Sequence, residues 1–239
     1  MSSHATSPPQ YTRREEFLHH VPLFEGLSAA EYTQLAAILR EQRYRKNEVV
    51  FHANDPGSAL FLLKTGVVKV AVEALDRREL IVRFLYPPDF FGEMALLDNL
   101  PRSATITALE PSEALLLERG DFITLVERTP TLLPKIAEAL SRRLRKANEL
   151  VHNLAFLDAY AKVARVLLDL AQERGQPAPD GCAMHVRISQ RELAELTGMA
   201  RGTVARVLSD FRQAGYIHVA GGNITILEPA ILAHKTVQP

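Results

Sequence analysis

Between Phe90 and Thr105 the chain sets a glycine, a carboxylate, a short apolar run, a proline, an arginine and a hydroxyl in close succession. The run reads Phe91-Gly92-Glu93-Met94-Ala95-Leu96-Leu97, then Pro101-Arg102-Ser103-Ala104. These are the parts a pocket for a sugar phosphate needs. Gly92 lets the backbone approach a ligand closely. Glu93 can accept hydrogen bonds from a sugar hydroxyl, and Arg102 offers a planar fork of donors matched to phosphate oxygens. Ser103 adds a small donor, and the free N–H groups at the start of the helical run Met94–Leu97 favour an anion. Gly-Glu or Arg-Ser alone is ordinary loop chemistry; the order and spacing of all the parts carry the reading.

A second constellation lies between Ile188 and Gly215. Ser189 and Glu192 form a capping box that opens a helix through Leu196. Ala194, Gly198 and Val204 follow Gln190 at the offsets of a helix-turn-helix: a small residue where helices cross, a turn glycine and a buried anchor. The second helix, from about Arg201 to Gln213, exposes Arg201, Gly202, Thr203 and Arg206. With Ser189 and Gln190 at the head of the first helix, these are the candidate DNA contacts. An arginine suits guanine O6 and N7 in the major groove. Tyr216–Val219 and Ile224–Leu227, joined by Gly221-Gly222-Asn223, read as a two-stranded wing.

Several elements must position these groups. Arg13–His20 and Ser28–Glu41 read as helices, the second opened by a Ser28/Glu31 capping box. Adjacent His19 and His20 find no metal-ligand partner at helical spacing and read as surface residues. From Glu48 to Leu117 the pattern shifts to short strands: Val49–His52, Ala59–Lys64, Val67–Val72, Leu80–Leu85, Ser103–Ala108 and Ala114–Glu118. Many short strands at this spacing predict a jelly roll. Val70, Val82 and Leu85 are candidate apolar walls against a purine, or simply core residues.

A long helix follows, from about Pro130 to Phe156. Leu133, Ile136, Leu140, Leu144, Ala147, Val151 and Leu154 form an apolar seam at steps of three or four. A seam this long on a small β domain is most economically covered by a second copy of the chain, the alternative being a helix docked along its own domain. Asp158 can cap the next helix, Ala159–Glu173, and residues 174–181 form a loop before a strand over Ala183–Ile188. The expected organisation is a flexible tail over 1–16, a β-roll over 17–129, a dimerisation helix over 130–157 and a winged helix-turn-helix over 158–239. The fold class is α+β.

The totals narrow the function. The 239 residues are 47% apolar and 23% charged, with zero net charge, so any nucleic-acid footprint must be local. Residues 159–239 hold nine Lys and Arg against seven Asp and Glu, a weak surplus. The single cysteine, Cys182, forms no internal disulfide and no four-cysteine cluster, which fits a reducing cytoplasm. No stretch approaches the roughly 20 apolar residues of a membrane span, and the first residues lack signal-peptide features. No nucleophile–base pair, metal cluster or Walker loop stands at useful spacing, so the chain does not read as an enzyme.

Taken together, the Phe91-Gly92-Glu93 and Pro101-Arg102-Ser103-Ala104 runs resemble the phosphate-binding cassette of cyclic-nucleotide-binding domains. With the long helix, the winged helix-turn-helix and runs such as Arg142-Arg143-Leu144 and Asn153-Leu154-Ala155-Phe156-Leu157-Asp158, the chain resembles the cyclic-AMP receptor protein and fumarate–nitrate reductase regulators over about residues 17–228. The resemblance implies a homodimeric, sequence-specific bacterial transcription regulator, cytoplasmic, acting on double-stranded DNA and with RNA polymerase. It implies cyclic AMP as allosteric effector, with no covalent cofactor and no membrane. By the resemblance, Glu93 meets the ribose, Arg102 and Ser103 meet the phosphate, and Arg143 lies near the phosphate. Ala147 and Asn148 take the two positions that meet adenine; Asn148 keeps a hydrogen-bonding amide, while Ala147 has none. Gly202 replaces a base-reading glutamate, and Ala200 replaces the usual capping serine, a loss of ~1 kcal/mol unless another group caps the helix. The alternative is a ligand-independent regulator whose nucleotide pocket is vestigial, with Arg102 paired to Glu93, or binds another effector. Haem sensing stays open, since eight histidines are present without a marked axial pair.

Overall fold

The computed structural model describes residues 13–74, 76, 78–177 and 184–236. Residues 1–12, most of the expected tail, lie outside them, as do Arg77 and residues 178–183 with Cys182, where part of the expected 174–181 loop and the start of the expected Ala183–Ile188 strand fall. Two compact units are present. One holds residues up to 72 with 82–144, the other 73–81 with the chain from 145 onward.

The first unit opens with α1 (Arg14–Leu18), so the expected tail ends sooner than residue 16. A 3-10 turn over Pro22–Phe24 leads to α2 (Ala29–Ile38), which starts at the anticipated Ser28/Glu31 capping box. There follow β1 (Arg40–Tyr44), β2 (Val49–Phe51), β3 (Ala59–Thr65), β4 (Val68–Glu73), β5 (Glu79–Leu85) and β6 (Phe90–Phe91). Helix α3 (Glu93–Asp98), β7 (Thr105–Ala108), β8 (Ser112–Glu118) and α4 (Arg119–Arg128) complete the roll before α5 (Leu132–Phe156).

The strands form two four-stranded sheets, ordered β1-β8-β3-β6 and β2-β7-β4-β5. The β1–β8, β3–β8, β2–β7 and β4–β7 ladders are antiparallel, and the crossovers between distant strands make a jelly roll. Strand β3 explains how the roll is filled. Its continuous run Ala59-Leu60-Phe61-Leu62-Leu63 is buried on both faces. By the alternation of side chains along a strand, Leu60 and Leu62 enter a cluster with α1, α2 and α4, which includes Phe17, Phe24 and Phe122. Phe61 and Leu63 face the other way, into the core between the sheets with Val70, Phe91 and Ile106. The first turns of α5 join the helical cluster through Leu132, Ile136 and Ala139.

The helix expected over 28–41 is shorter, because Leu39 turns extended at φ −70°, ψ 137° and the chain pairs as β1. Four of the five β1 residues are exposed, so strand alternation left no apolar signature there. Helix α4 was also unanticipated.

In the second unit, α6 (Ala159–Arg174) is capped by Asp158, whose side chain accepts from the Ala161 amide at 2.8 Å. Strands β9 (Gln176–Pro177) and β10 (Met184–Arg187) lead to α7 (Gln190–Thr197) and α8 (Arg201–Gln213). Then come β11 (Ile217–Ala220), β12 (Asn223–Ile226) and α9 (Pro229–Lys235). The sheet order is β11-β12-β10-β9, so the β11–β12 wing extends over β10.

Helix α5 corrects the single seam read from sequence. Ile136 turns inward with Leu132 and Ala139, whereas Leu133, Leu144 and Val151 are more than half exposed, as is Phe156 near the helix end. Leu140, Ala147 and Leu154 are half-buried. The helix therefore carries one apolar face against the roll and a second that the single chain leaves open. Among the described residues, no helix is long and apolar enough to cross a membrane.

Candidate functional site: an arginine-lined pocket and a helix-turn-helix

Arg102 is the centre of the first site. Its residue is only 5% exposed, although it carries a full positive charge. Nη1 donates to the Gly92 carbonyl at 2.7 Å and Nη2 to the Ala59 carbonyl at 2.8 Å. The guanidinium lies 4.3 Å from the centroid of the Phe51 ring and 5.5 Å from that of Phe61. Its backbone is pinned as well, the Arg102 amide donating to the Asp55 carbonyl at 2.9 Å and the Asn54 amide to the Arg102 carbonyl at 2.8 Å.

Two glycines make room for this side chain. Gly92, at φ +84°, caps α3 in a left-handed conformation, and a Cβ there would stand 2.5 Å from Arg102 Nη1. A Cβ on Gly57 would stand 2.2 Å from the Ala95 Cβ and 3.3 Å from Arg102 Cζ. With this backing the guanidinium borders a pocket lined by Phe51, Val70, Arg83, Phe91 to Ala95, and Arg102 to Ala104 with Ile106.

The electrostatics are unbalanced. Burial lowers the Arg102 pKa, against smaller opposing effects of Glu93 and Asp55. Among the described residues no carboxylate forms an ion pair with Arg102, and its buried Nε has no hydrogen-bond partner. The alternative pairing of Arg102 with Glu93 is therefore not the one formed. Arg143 from α5 engages Glu93 Oε1 and the Phe90 carbonyl, and stacks 4.6 Å from the Phe90 centroid. Glu93 is buried, and its Oε2 is the acceptor left to a ligand hydroxyl. Ser103 is exposed at the rim, where Oγ meets the Met94 sulfur at 3.6 Å.

Most of the anticipated pocket residues are gathered here: Gly92, Glu93, Met94, Arg102, Ser103 and Val70 line the cavity, and Arg143 reaches it through Glu93. Val82 and Leu85 do not; Leu85 is buried in the core between the sheets and Val82 packs against it. Asn148 is exposed on α5 and belongs to the other unit. Sequence reading missed Gly57, Phe51 and Arg83. For Arg83 the signal was available: it is a lone charge in the apolar strand Leu80–Leu85.

The second site is the α7–α8 pair. The Ser189–Glu192 capping box is formed, with Ser189 Oγ 2.6 Å from Glu192 Oε2, so the serine hydroxyl serves the cap. Ala194 is buried where the helices meet, and Gly198 makes the turn at φ +64°. Val204, Val207, Leu208 and Phe211 bury one face of α8. Arg201, Gly202, Thr203 and Arg206 are exposed on the other, and Gln190 is exposed at the start of α7. Ala200 provides no side-chain cap, and its carbonyl accepts from the Thr203 and Val204 amides. A packed face opposite a row of exposed arginines is what a helix in the major groove requires.

Comparison with known proteins agrees with both halves. Residues 41–129 match the cyclic nucleotide-binding domain, and residues 161–235 match the Crp-like helix-turn-helix domain. The chain is 30% identical to a CRP-like cAMP-activated global transcriptional regulator of Mycobacterium tuberculosis, covering 92% of this chain and 99% of that one. The chain belongs to the CRP/FNR family.

Within this family it is 34% identical to a cyclic AMP receptor protein of Thermus thermophilus, covering 88% of this chain and 94% of the other. It also superposes with a TM-score of 0.75 on the c-di-GMP responsive regulator CLP of Xanthomonas campestris, at 27% identity over 83% of this chain and 99% of that one. It is thus a CRP-like transcription regulator with a cyclic-nucleotide-binding domain and a helix-turn-helix.

The packing behind Arg102 makes a specific prediction. Gly57→Ala forces a methyl into Ala95 and should destabilise the roll by about 1–3 kcal/mol, read by urea unfolding. Wild-type stability in that variant would show that α3 does not stand against the 54–57 turn.

Proposed function

We propose that this protein is a homodimeric, cytoplasmic DNA-binding regulator switched by a purine 3′,5′-cyclic mononucleotide. Cyclic AMP is the effector that the names of its relatives point to. The observation that carries the reading is Arg102: a buried guanidinium with no carboxylate partner among the described residues and an orphaned Nε, bordering the pocket. A desolvated cation is costly without an anion, and a cyclic phosphate supplies one. In this reading Arg102 and Ser103 hold the phosphate, Glu93 accepts from the ribose 2′-hydroxyl, Arg143 keeps Glu93 ionised and oriented, and Asn148 meets the base.

Residues 17–129 would serve as the effector domain, 130–157 as the dimerisation helix and 158–239 as the DNA-binding part. Leu133, Leu144 and Val151, exposed along α5, support a two-fold helix pair. Such a dimer sets its two recognition helices about 34 Å apart, facing successive major grooves of a palindromic site. The ligand then acts by favouring one arrangement of the paired helices. Contact with RNA polymerase on bound DNA follows from the family's role, and the relatives are named as regulators rather than enzymes.

Arg102→Ala should abolish nucleotide binding in titration calorimetry while leaving the dimer intact by size-exclusion chromatography. Undiminished affinity would remove the pocket assignment. Arg201→Ala should weaken binding to the specific operator by about 1–3 kcal/mol and leave random DNA nearly unaffected. Equal losses on both would place Arg201 on a phosphate.

A further inference from the structure

Resting on the cyclic-nucleotide reading of the same cavity, one lining residue remains without a role. Arg83, from β5, borders the pocket and makes no hydrogen bond or ion pair with any described residue. The acids that act on it are engaged elsewhere or face solvent: Glu93 Oε1 is held by Arg143, and Asp89 is exposed at the surface. Burial, reinforced by the neighbouring Arg143 charge, pushes the Arg83 pKa down to about 10, against the opposing effects of Glu93 and Asp89.

The cavity is therefore bordered by two arginines and one carboxylate that a third arginine already occupies. A cyclic mononucleotide brings a single negative charge, and Arg102 takes it. A 3′,5′-cyclic mononucleotide has no second phosphate to offer Arg83. What remains on a mononucleotide is the base. Guanine presents two adjacent acceptors, O6 and N7, which match the paired donors of a guanidinium; adenine replaces O6 with an amino donor that repels it. Asn148 cannot make this distinction, because its amide offers both a donor and an acceptor.

We propose that Arg83 is the residue that selects the base, and that it makes this pocket take cyclic GMP at least as tightly as cyclic AMP. The planar fork, and not charge alone, carries the selection.

The test is titration calorimetry of the full-length protein with each nucleotide, for the wild type, Arg83→Ser and Arg83→Lys, with thermal melts confirming that each variant folds. Wild type should bind cyclic GMP with a Kd no weaker than that of cyclic AMP. In both variants the ratio of the two constants should shift toward cyclic AMP by about tenfold or more. A wild type that prefers cyclic AMP tenfold, with a ratio that Arg83→Ser does not move, would overturn the proposal and leave the cyclic-nucleotide reading standing. Arg83→Lys keeping the wild-type ratio would overturn the role of the fork. Binding of neither nucleotide to the wild type would overturn the cyclic-nucleotide reading and this proposal with it.

Discussion

The structure depends on keeping a guanidinium charged where water is nearly absent. Taking an arginine out of water costs several kcal/mol, and proteins usually offset this with a carboxylate. Here the offset is backbone: the Gly92 and Ala59 carbonyls accept from Arg102, and Phe51 stacks against it. Each of these groups comes from a different element, so the roll must close correctly before the site exists. Strand β3 brings Ala59, the turn before α3 brings Gly92, and the 54–57 turn both pins the Arg102 backbone and supplies Gly57. Two of the five guanidinium N–H donors are used in this arrangement and three are left over, the buried Nε among them, and that remainder is the chemical reason to expect an anion.

The same cassette is coupled to α5 through the protein's own side chains. Arg143 ties Glu93 to the long helix, and the first turns of that helix are anchored in the core by Leu132, Ile136 and Ala139. A ligand that competes for Glu93, or strengthens its pairing with Arg143, acts directly on the helix proposed to join two subunits. Coupling between distant sites needs an element whose arrangement both sites can bias, and α5 is suited to that role.

Much of this was legible in the sequence because the decisive residues are local. Gly92, Glu93, Arg102 and Ser103 fall within a dozen positions, and Ala194, Gly198 and Val204 keep fixed offsets on two short helices. What the sequence hid was created by folding. Gly57 stands far from Arg102 in the chain and matters only because β3 and α3 bring their surroundings together. Leu85 and Val82 carried the right chemistry for a purine wall, yet Leu85 is buried between the sheets and Val82 packs against that core, while Arg83 borders the pocket. Strand β1 escaped because its exposed, charged residues show no alternation, and Ile136 left the proposed seam because the helix has two apolar faces rather than one.

The central claim is that occupation of the Arg102 pocket controls the helix-turn-helix. The direct measurement is fluorescence anisotropy on a labelled palindromic operator, titrated with the wild-type protein in the absence and presence of saturating cyclic nucleotide. The account predicts DNA affinity that rises about 5- to 150-fold with nucleotide, the range of ordinary allosteric coupling. Identical affinity with and without a nucleotide that calorimetry shows to be bound would contradict it.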